Sequence, residues 1–423
     1  MVTRQLPLFK VKKSKFRISS FCGLPLLDHI AHWLGVPQSA ELLTGLKERQ
    51  RGYSVSQLLM SLILLLTAGG EHLDDIRMLK KDPAINVFTY LKDIPDATTL
   101  GRFLHRFKKR ELMFLAGIST RLAIRIQSYV SPDKATLDVD SSVVVAQKEE
   151  ARMSYTGERG YNPMFAFLYE TKTVLMAEFR PGSAQPGANA LRFLKKCLKA
   201  LPKTVKEIFL RSDSAWYQAK VLDHCQENGV KFAITADRDK AVMELIASVP
   251  EKAWSPFDDG EIAETIHTLN DSEYAYRLII LRRLKEQQDL FSPYRYGAII
   301  TNREEDMGSV VCWHRKRADS ENIIKENKNG FALEHMPCGS FDANAAFTHI
   351  VVLAYNLVQA MKYLLLPESW RTLTIKNLRF MLLHLGGIVV RHARQIIIGL
   401  PEDYPYFDLY ESLTYQVRGP CLV

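Results

Sequence analysis

The stretch ATLDVDSSVVVAQ, residues 135–147, decides how the rest of the chain is read. Leu137 and Val139 alternate with Asp138 and Asp140, the period of two that marks a strand with unlike faces. Acids in a Val-rich strand are costly to bury alone and call for a partner. A metal ion, an arginine or backbone donors would each serve.

Downstream of this strand, residues 164–170 and 172–180 read as two more strands. Residues 190–201 form an amphipathic helix, 205–212 a strand, 215–229 a helix ending at Gly229, and 230–236 another strand. The order β-β-β-α-β-α-β makes the fold class α/β with a ribonuclease-H-like catalytic core, not a doubly wound dinucleotide-binding domain. From 241 to 312, IAETIHTL, YAYRLIILRRL, YRYGAIITN and SVVCWH read as strands of an all-β insertion. Residues 313–400 complete the core with C-terminal helices, AFTHIVVLAYNLVQAMKYLLL and TIKNLRFMLLHLGGIVVRHARQIIIGL. An aromatic, acidic tail spans 401–423.

Upstream, residues 1–130 read as a helical N-terminal domain. Ser54 or Ser56 caps a helix running through Leu66, and Gly69-Gly70 ends it. EHLDDIRMLKK is amphipathic, and a basic helix follows a cap at Thr98 or Thr99. Such helices suit a helix-turn-helix or a packing and dimerisation domain.

The 423-residue chain carries a net charge of +9, which favours a polyanionic partner such as nucleic acid. Its cysteines (Cys22, Cys197, Cys225, Cys312, Cys338, Cys421) form no CxxC pair, which fits a reducing cytosol better than a disulfide framework. His335 and Cys338 are too isolated to make a zinc site. The longest apolar run, LLMSLILLL at 58–66, is far too short to span a membrane. A soluble, cytoplasmic protein without a membrane partner is expected.

Two further acids draw attention. Asp213, in FLRSDSAWY, lies just beyond the strand that should run beside the first, which would bring it close to Asp140. Asp is also a favoured helix N-cap. Neighbouring carboxylates repel unless a cation sits between them, and Mg²⁺ takes such hard oxygen ligands. Glu321 lies in WHRKRADSENIIKENKNGF, residues 313–331. On a helix starting at His314, that residue, Arg317, Lys325 and Lys328 all fall within about 40° of Glu321. One acid among cations is what a solvated face with i,i+4 pairs looks like, and also what a metal ligand beside a phosphate clamp looks like.

The spacing His314-x2-Arg317-x3-Glu321-x6-Lys328 resembles the Tyr-x2-Arg-x3-Glu-x6-Lys signature of bacterial DDE transposases of the IS4-like group, with His at the Tyr position. LDVDSS and LRSDSAWY resemble that group's first and second catalytic blocks, and the IS1380 family is the nearest subgroup. The resemblance implies a cut-and-paste DNA transposase with two Mg²⁺ ions, or Mn²⁺ as substitute, held by the catalytic residues Asp140, Asp213 and Glu321. It implies a clamp on DNA phosphates by Arg317 and Lys328; His314 and, from the helical wheel, Lys325 are added to it. It further implies terminal inverted repeats and target DNA as partners, a dimer on DNA and a nucleoid location. Asp138 is a candidate helper and Trp254 a candidate for stabilising a flipped base. The rival readings are a nuclease with the same core that lacks strand transfer, and a domesticated protein that binds DNA without catalysis.

Overall fold

The computed structural model describes residues 11–46, 52–285, 293–392 and 395–417; Cys421 and the end of the tail lie outside them. The opening stretch forms β1 (Lys134–Ser141), followed by β2 (Met164–Leu168) and β3 (Thr173–Glu178). Next come helix α3 (Ala190–Ala200), β4 (Glu207–Ser212), helix α4 (Ala219–Glu227) and β5 (Lys231–Thr235). The predicted strand and helix order is present. β2 pairs antiparallel with β1 and β3, whereas β4 pairs parallel with β1 and β5.

The strands have two unlike faces, as the alternation demands. Leu137 and Val139 join the apolar cluster that contains Phe193 and Leu194 of α3 and Leu222 of α4. Asp138 and Asp140 pair laterally with Phe167 and Phe165, whose rings belong to a different cluster. That second cluster unites α1 (Val55–Thr67), α2 (Lys109–Val130) and α7 (Phe341–Leu364). Ser54 caps α1 through a capping box with Gln57, and Gly69 adopts a positive φ just beyond the helix end. Among the described residues α7 is the helix long and apolar enough to cross a membrane, but it is enclosed by protein.

Residues 241–312 do not form an all-β insertion standing apart. Lys240–Ser248 is helical, and the strands β6 (Ser255–Phe257), β7 (Gly260–His267), β8 (Tyr276–Leu284) and β9 (Tyr294–Thr301) form a meander. β9 pairs antiparallel with β5, placing Ile300 opposite Ile234. One sheet results, ordered β6-β7-β8-β9-β5-β4-β1-β2-β3. SVVCWH is not a strand either: it lies in α5 (Met307–Arg315), where Asp306 accepts from Ser309 N and Val310, Val311 and His314 face inward. A short apolar run fits either period, and the cap decides it here.

The C-terminal region departs further from the helical expectation. Within residues 375–400 the helical turns end at Leu383, and Gly387–His392 and Gln395–Gly399 form a hairpin that pairs with Arg17–Ser19. The β-branched runs of Ile and Val favour strand once Gly386-Gly387 breaks the helix. The N-terminal region is therefore not wholly helical. A Cβ at Gly387 would lie 2.8 Å from Cys22 Sγ, so this crossing requires glycine.

β3 is an edge strand, and its exposed ladder needs partners. Asn356 of α7 supplies them: its Oδ1 accepts from Val174 N at 2.8 Å, and its Nδ2 donates to Val174 O at 2.8 Å and Ser119 Oγ at 3.2 Å. Asn356→Leu should lower stability by about 2–4 kcal/mol, because it strands a buried donor and acceptor. A denaturant titration with an unchanged m-value checks this.

Candidate active site

β1 and β4 run parallel with Val139 opposite Ser212, so Asp140 and Asp213 emerge side by side at adjacent strand ends. Asp213 Oδ1 accepts from Ala215 N at 3.1 Å, capping a short 3₁₀ turn, and from Ser212 Oγ at 3.4 Å. Both the capping reading and the proximity reading of Asp213 hold in the structure.

The segment 313–331 is not one helix. α5 ends at Arg315, and α6 (Ala318–Gly330) begins after Lys316 and Arg317. Arg317 at the junction reaches Asp140 Oδ2 at 3.9 Å with one nitrogen and Glu321 Oε1 at 3.5 Å with the other. Glu321 is exposed, whereas Asp140 is largely covered. Burial, then the charges of Asp213 and Glu321, push the Asp140 carboxyl up to about 7, against the pull of Arg317 and of a hydrogen bond from Ser141 N. Asp140 and Asp213 thus lie at adjacent strand ends, and the Arg317 guanidinium lies between Asp140 and Glu321.

Lys328 lies at the rim. Its Nζ donates to Val143 O at 2.7 Å, three residues beyond Asp140, and lies 3.3 Å from Glu334. Lys325 is exposed on the flank of α6 that also carries Asp319, Asn322 and Glu326. His314 is not on the phosphate-facing stripe. It is buried, with Nε2 3.2 Å from Ser212 O and 3.3 Å from Thr235 Oγ1. Burial holds it down to about 4, so the ring is neutral at pH 7, and Nε2–H donates to the Ser212 carbonyl. The phosphate contact expected of it is replaced by a tether between α5 and the end of β4.

Asp138 is not a ligand candidate in this structure. It is buried and receives two hydrogen bonds from Arg211, Nε to Oδ1 at 2.6 Å and Nη2 to Oδ2 at 2.7 Å. Burial pushes Asp138 up to about 6 against the pull of the guanidinium, so it is ionised at neutral pH. Arg211 is itself fully buried, donates to Trp313 O at 2.8 Å, and lies over the Tyr169 and Trp313 rings. Sequence reasoning missed Arg211; the signal was its inward parity with Asp138 on the neighbouring strand. Trp254 packs under Arg282, whose guanidinium carbon is 4.1 Å from the ring centroid, and among the described residues no contact joins it to the carboxylates.

Residues 9–419 match the family model "Transposase DDE domain group 1". The chain belongs to this family. It is a DDE transposase, an enzyme that cleaves DNA and transfers strands, and the family works with divalent metal ions. Among solved structures it is similar to the piggyBac transposase synaptic complex with hairpin DNA, at 11% identity and a TM-score of 0.43 over 88% of this chain and 83% of that one. Among curated proteins, none matches the chain.

Removing one member of a buried, hydrogen-bonded ion pair leaves the other charge unsatisfied. Arg211→Ala should therefore cost about 3–5 kcal/mol, whereas Arg211→Met with Asp138→Leu should recover most of that stability. Chemical denaturation of the single and double variants separates the two outcomes.

Proposed function

We propose that this transposase performs cut-and-paste transposition with Asp140, Asp213 and Glu321 as its catalytic triad on a ribonuclease-H-like core. The observation that supports this reading is that Asp140 and Asp213 emerge at adjacent parallel strand ends while Arg317 lies between Asp140 and Glu321, with the Asp140 carboxyl raised by burial and then by its acidic neighbours. The 3-2-1-4-5 order of the first five strands within the sheet supports the fold assignment. Within the family, the motif spacing supports a place in the IS1380 family of the IS4-like group.

The donor set suits hard divalent cations, and two Mg²⁺, with Mn²⁺ as substitute, fit it. Asp140 would hold both, and Asp213 and Glu321 one each. Such ions, when bound, activate the attacking oxygen and stabilise the leaving one. The chain itself positions. Arg317 sits between Asp140 and Glu321 and is placed to meet the scissile phosphate. Lys328 keeps a donor for phosphate while anchored to Val143 O, and Lys325 extends the cationic face. His314 contributes by fastening α5 to β4 rather than by touching DNA. The element's terminal inverted repeats and target DNA are the proposed substrates, a dimer the assembly on DNA, and the nucleoid-bearing cytoplasm the location. Residues 1–130 are proposed as the DNA-binding or dimerisation domain.

The test is end cleavage and strand transfer on DNA carrying the element's own termini. Asp140→Asn, Asp213→Asn and Glu321→Gln should each reduce cleavage by at least about 10³-fold while the protein stays folded and DNA-bound. Normal cutting by Glu321→Gln would remove the third carboxylate from the assignment. Cleavage without joining of 3′ ends would favour the nuclease reading.

Asp140 also predicts a pH signature. Its folded value near 7 exceeds the unfolded value of about 3.9, so without cations its contribution to stability declines as pH rises from about 4 to 7. A divalent cation needs the ionised form. Mn²⁺ should therefore raise the thermal midpoint more at pH 8 than at pH 6, and Asp140→Asn should remove that difference. Differential scanning fluorimetry of the two proteins across this range reads it.

A further inference from the structure

A cavity of about 820 Å³ opens on the flank of α6 that carries Lys325, not on the flank that meets Asp140. Its walls come from α6, α7 and the segment 371–379. Six cations line it (Lys172, Lys325, Lys362, Arg371, Lys376 and Arg379) against two acids, Asp319 and Glu326. Both acids are committed within the protein. Asp319 is bonded to Lys172 at 2.6 Å, and Glu326 Oε1 accepts from Ile375 N. Arg379 is spent on the carbonyls of Leu66, Thr67 and Gly330.

The remaining cations are under-used. Lys362 is buried, and among the described residues its ammonium donates to Leu373 O, leaving two of its three donors over. Arg371 pairs with exposed Glu368 through Nη1, while its Nε is buried without a partner. Lys325 and Lys376 are exposed at the mouth. Buried cationic donors without acceptors are costly unless something supplies oxygens. Tyr355 and Tyr363 add aromatic wall, the latter beneath the Arg371 guanidinium at 5.3 Å. The volume lies in the range of pockets that enclose small ligands and is large enough for one nucleotide unit.

We propose that this cavity is a phosphate subsite that receives a phosphodiester of a DNA strand crossing α6, with the adjoining nucleotide against Tyr363. The inference rests on the transposase reading, because it assigns the strand to the same helix that carries Glu321. Lys362 and Arg371 bind the phosphate from inside, while Lys325 and Lys376 steer the strand at the mouth.

The experiment compares wild type with Arg371→Gln/Lys376→Gln, two residues outside the buried core. A short fluorescein-labelled single-stranded oligodeoxynucleotide is the probe, followed by anisotropy across a salt series. The double variant should bind about tenfold more weakly, and its salt slope should fall by roughly 0.7 for each phosphate it no longer neutralises. Strands carrying 5-iodouracil should cross-link to the peptide containing Tyr363 in wild type and not in the variant. Unchanged affinity, slope and cross-linking in a folded variant would overturn the subsite. Calorimetry with inorganic phosphate forms a second arm: phosphate binding abolished by the variant, with strand binding untouched, would make the site one for free phosphate and overturn the strand assignment. End cleavage reports separately on the carboxylates. A wild type that binds the strand through this cavity but cuts nothing would sink the catalytic reading and leave the subsite standing. A variant that cuts and binds like wild type would do the reverse.

Discussion

The Arg211 guanidinium is the interaction on which the end of the molecule that carries the candidate site depends. It is fully buried, and a charge in that position persists only when paired and hydrogen-bonded. Asp138 takes two of its N–H groups, the Trp313 carbonyl takes a third, and two aromatic rings cover its faces. These contacts join β1, β4 and the end of α5. The next residue of each pair repeats the connection, since His314 donates to Ser212 O. The residue after Ser212 is Asp213, and the turn after His314 holds Arg317. Two consecutive tethers therefore set the strand ends that carry Asp140 and Asp213 against α5 and the turn that holds Arg317.

Around that joint the protein is framed by one sheet and one buried helix. The sheet continues through β5 into the meander, so strands far apart in sequence share a single hydrogen-bonded layer. α7 carries the opposite face, and its polar side chains are used rather than left over. Asn356 closes the edge of β3, and Asn344 bonds Tyr161 and the backbone of Cys338. Polar groups in an apolar helix of this kind specify register, because only one alignment satisfies them.

The electrostatic division follows from burial. Asp140 is raised because it is covered and surrounded by acids, whereas His314 is held neutral because it is covered and surrounded by arginines. A centre made this way concentrates negative charge at the carboxylates and positive charge along the flanks of α6. That is the distribution the proposed phosphoryl-transfer site calls for, in which the acids would hold metal and the basic residues phosphate.

Much of this was legible in residues 135–147 and the segments downstream of them. A two-residue period at Leu137 and Val139 and the β-β-β-α-β-α-β order depend on local patterning, which sequence carries directly. The blocks around Asp140, Asp213 and Glu321 that resemble a DDE transposase are likewise local stretches of sequence. Tertiary structure decided the rest. SVVCWH and the run after Gly386 fit either period, and a cap at Asp306 and a strand partner at Arg17–Ser19 settled them. Asp138 and Asp140 look alike in sequence, yet one faces Arg211 across the sheet and the other faces Asp213 and Arg317. His314 keeps the motif's spacing but turns inward, because the chain bends between α5 and α6. Which partner a charged side chain finds is set by elements brought together from distant sequence, and the energy of burying it is known only once they have met.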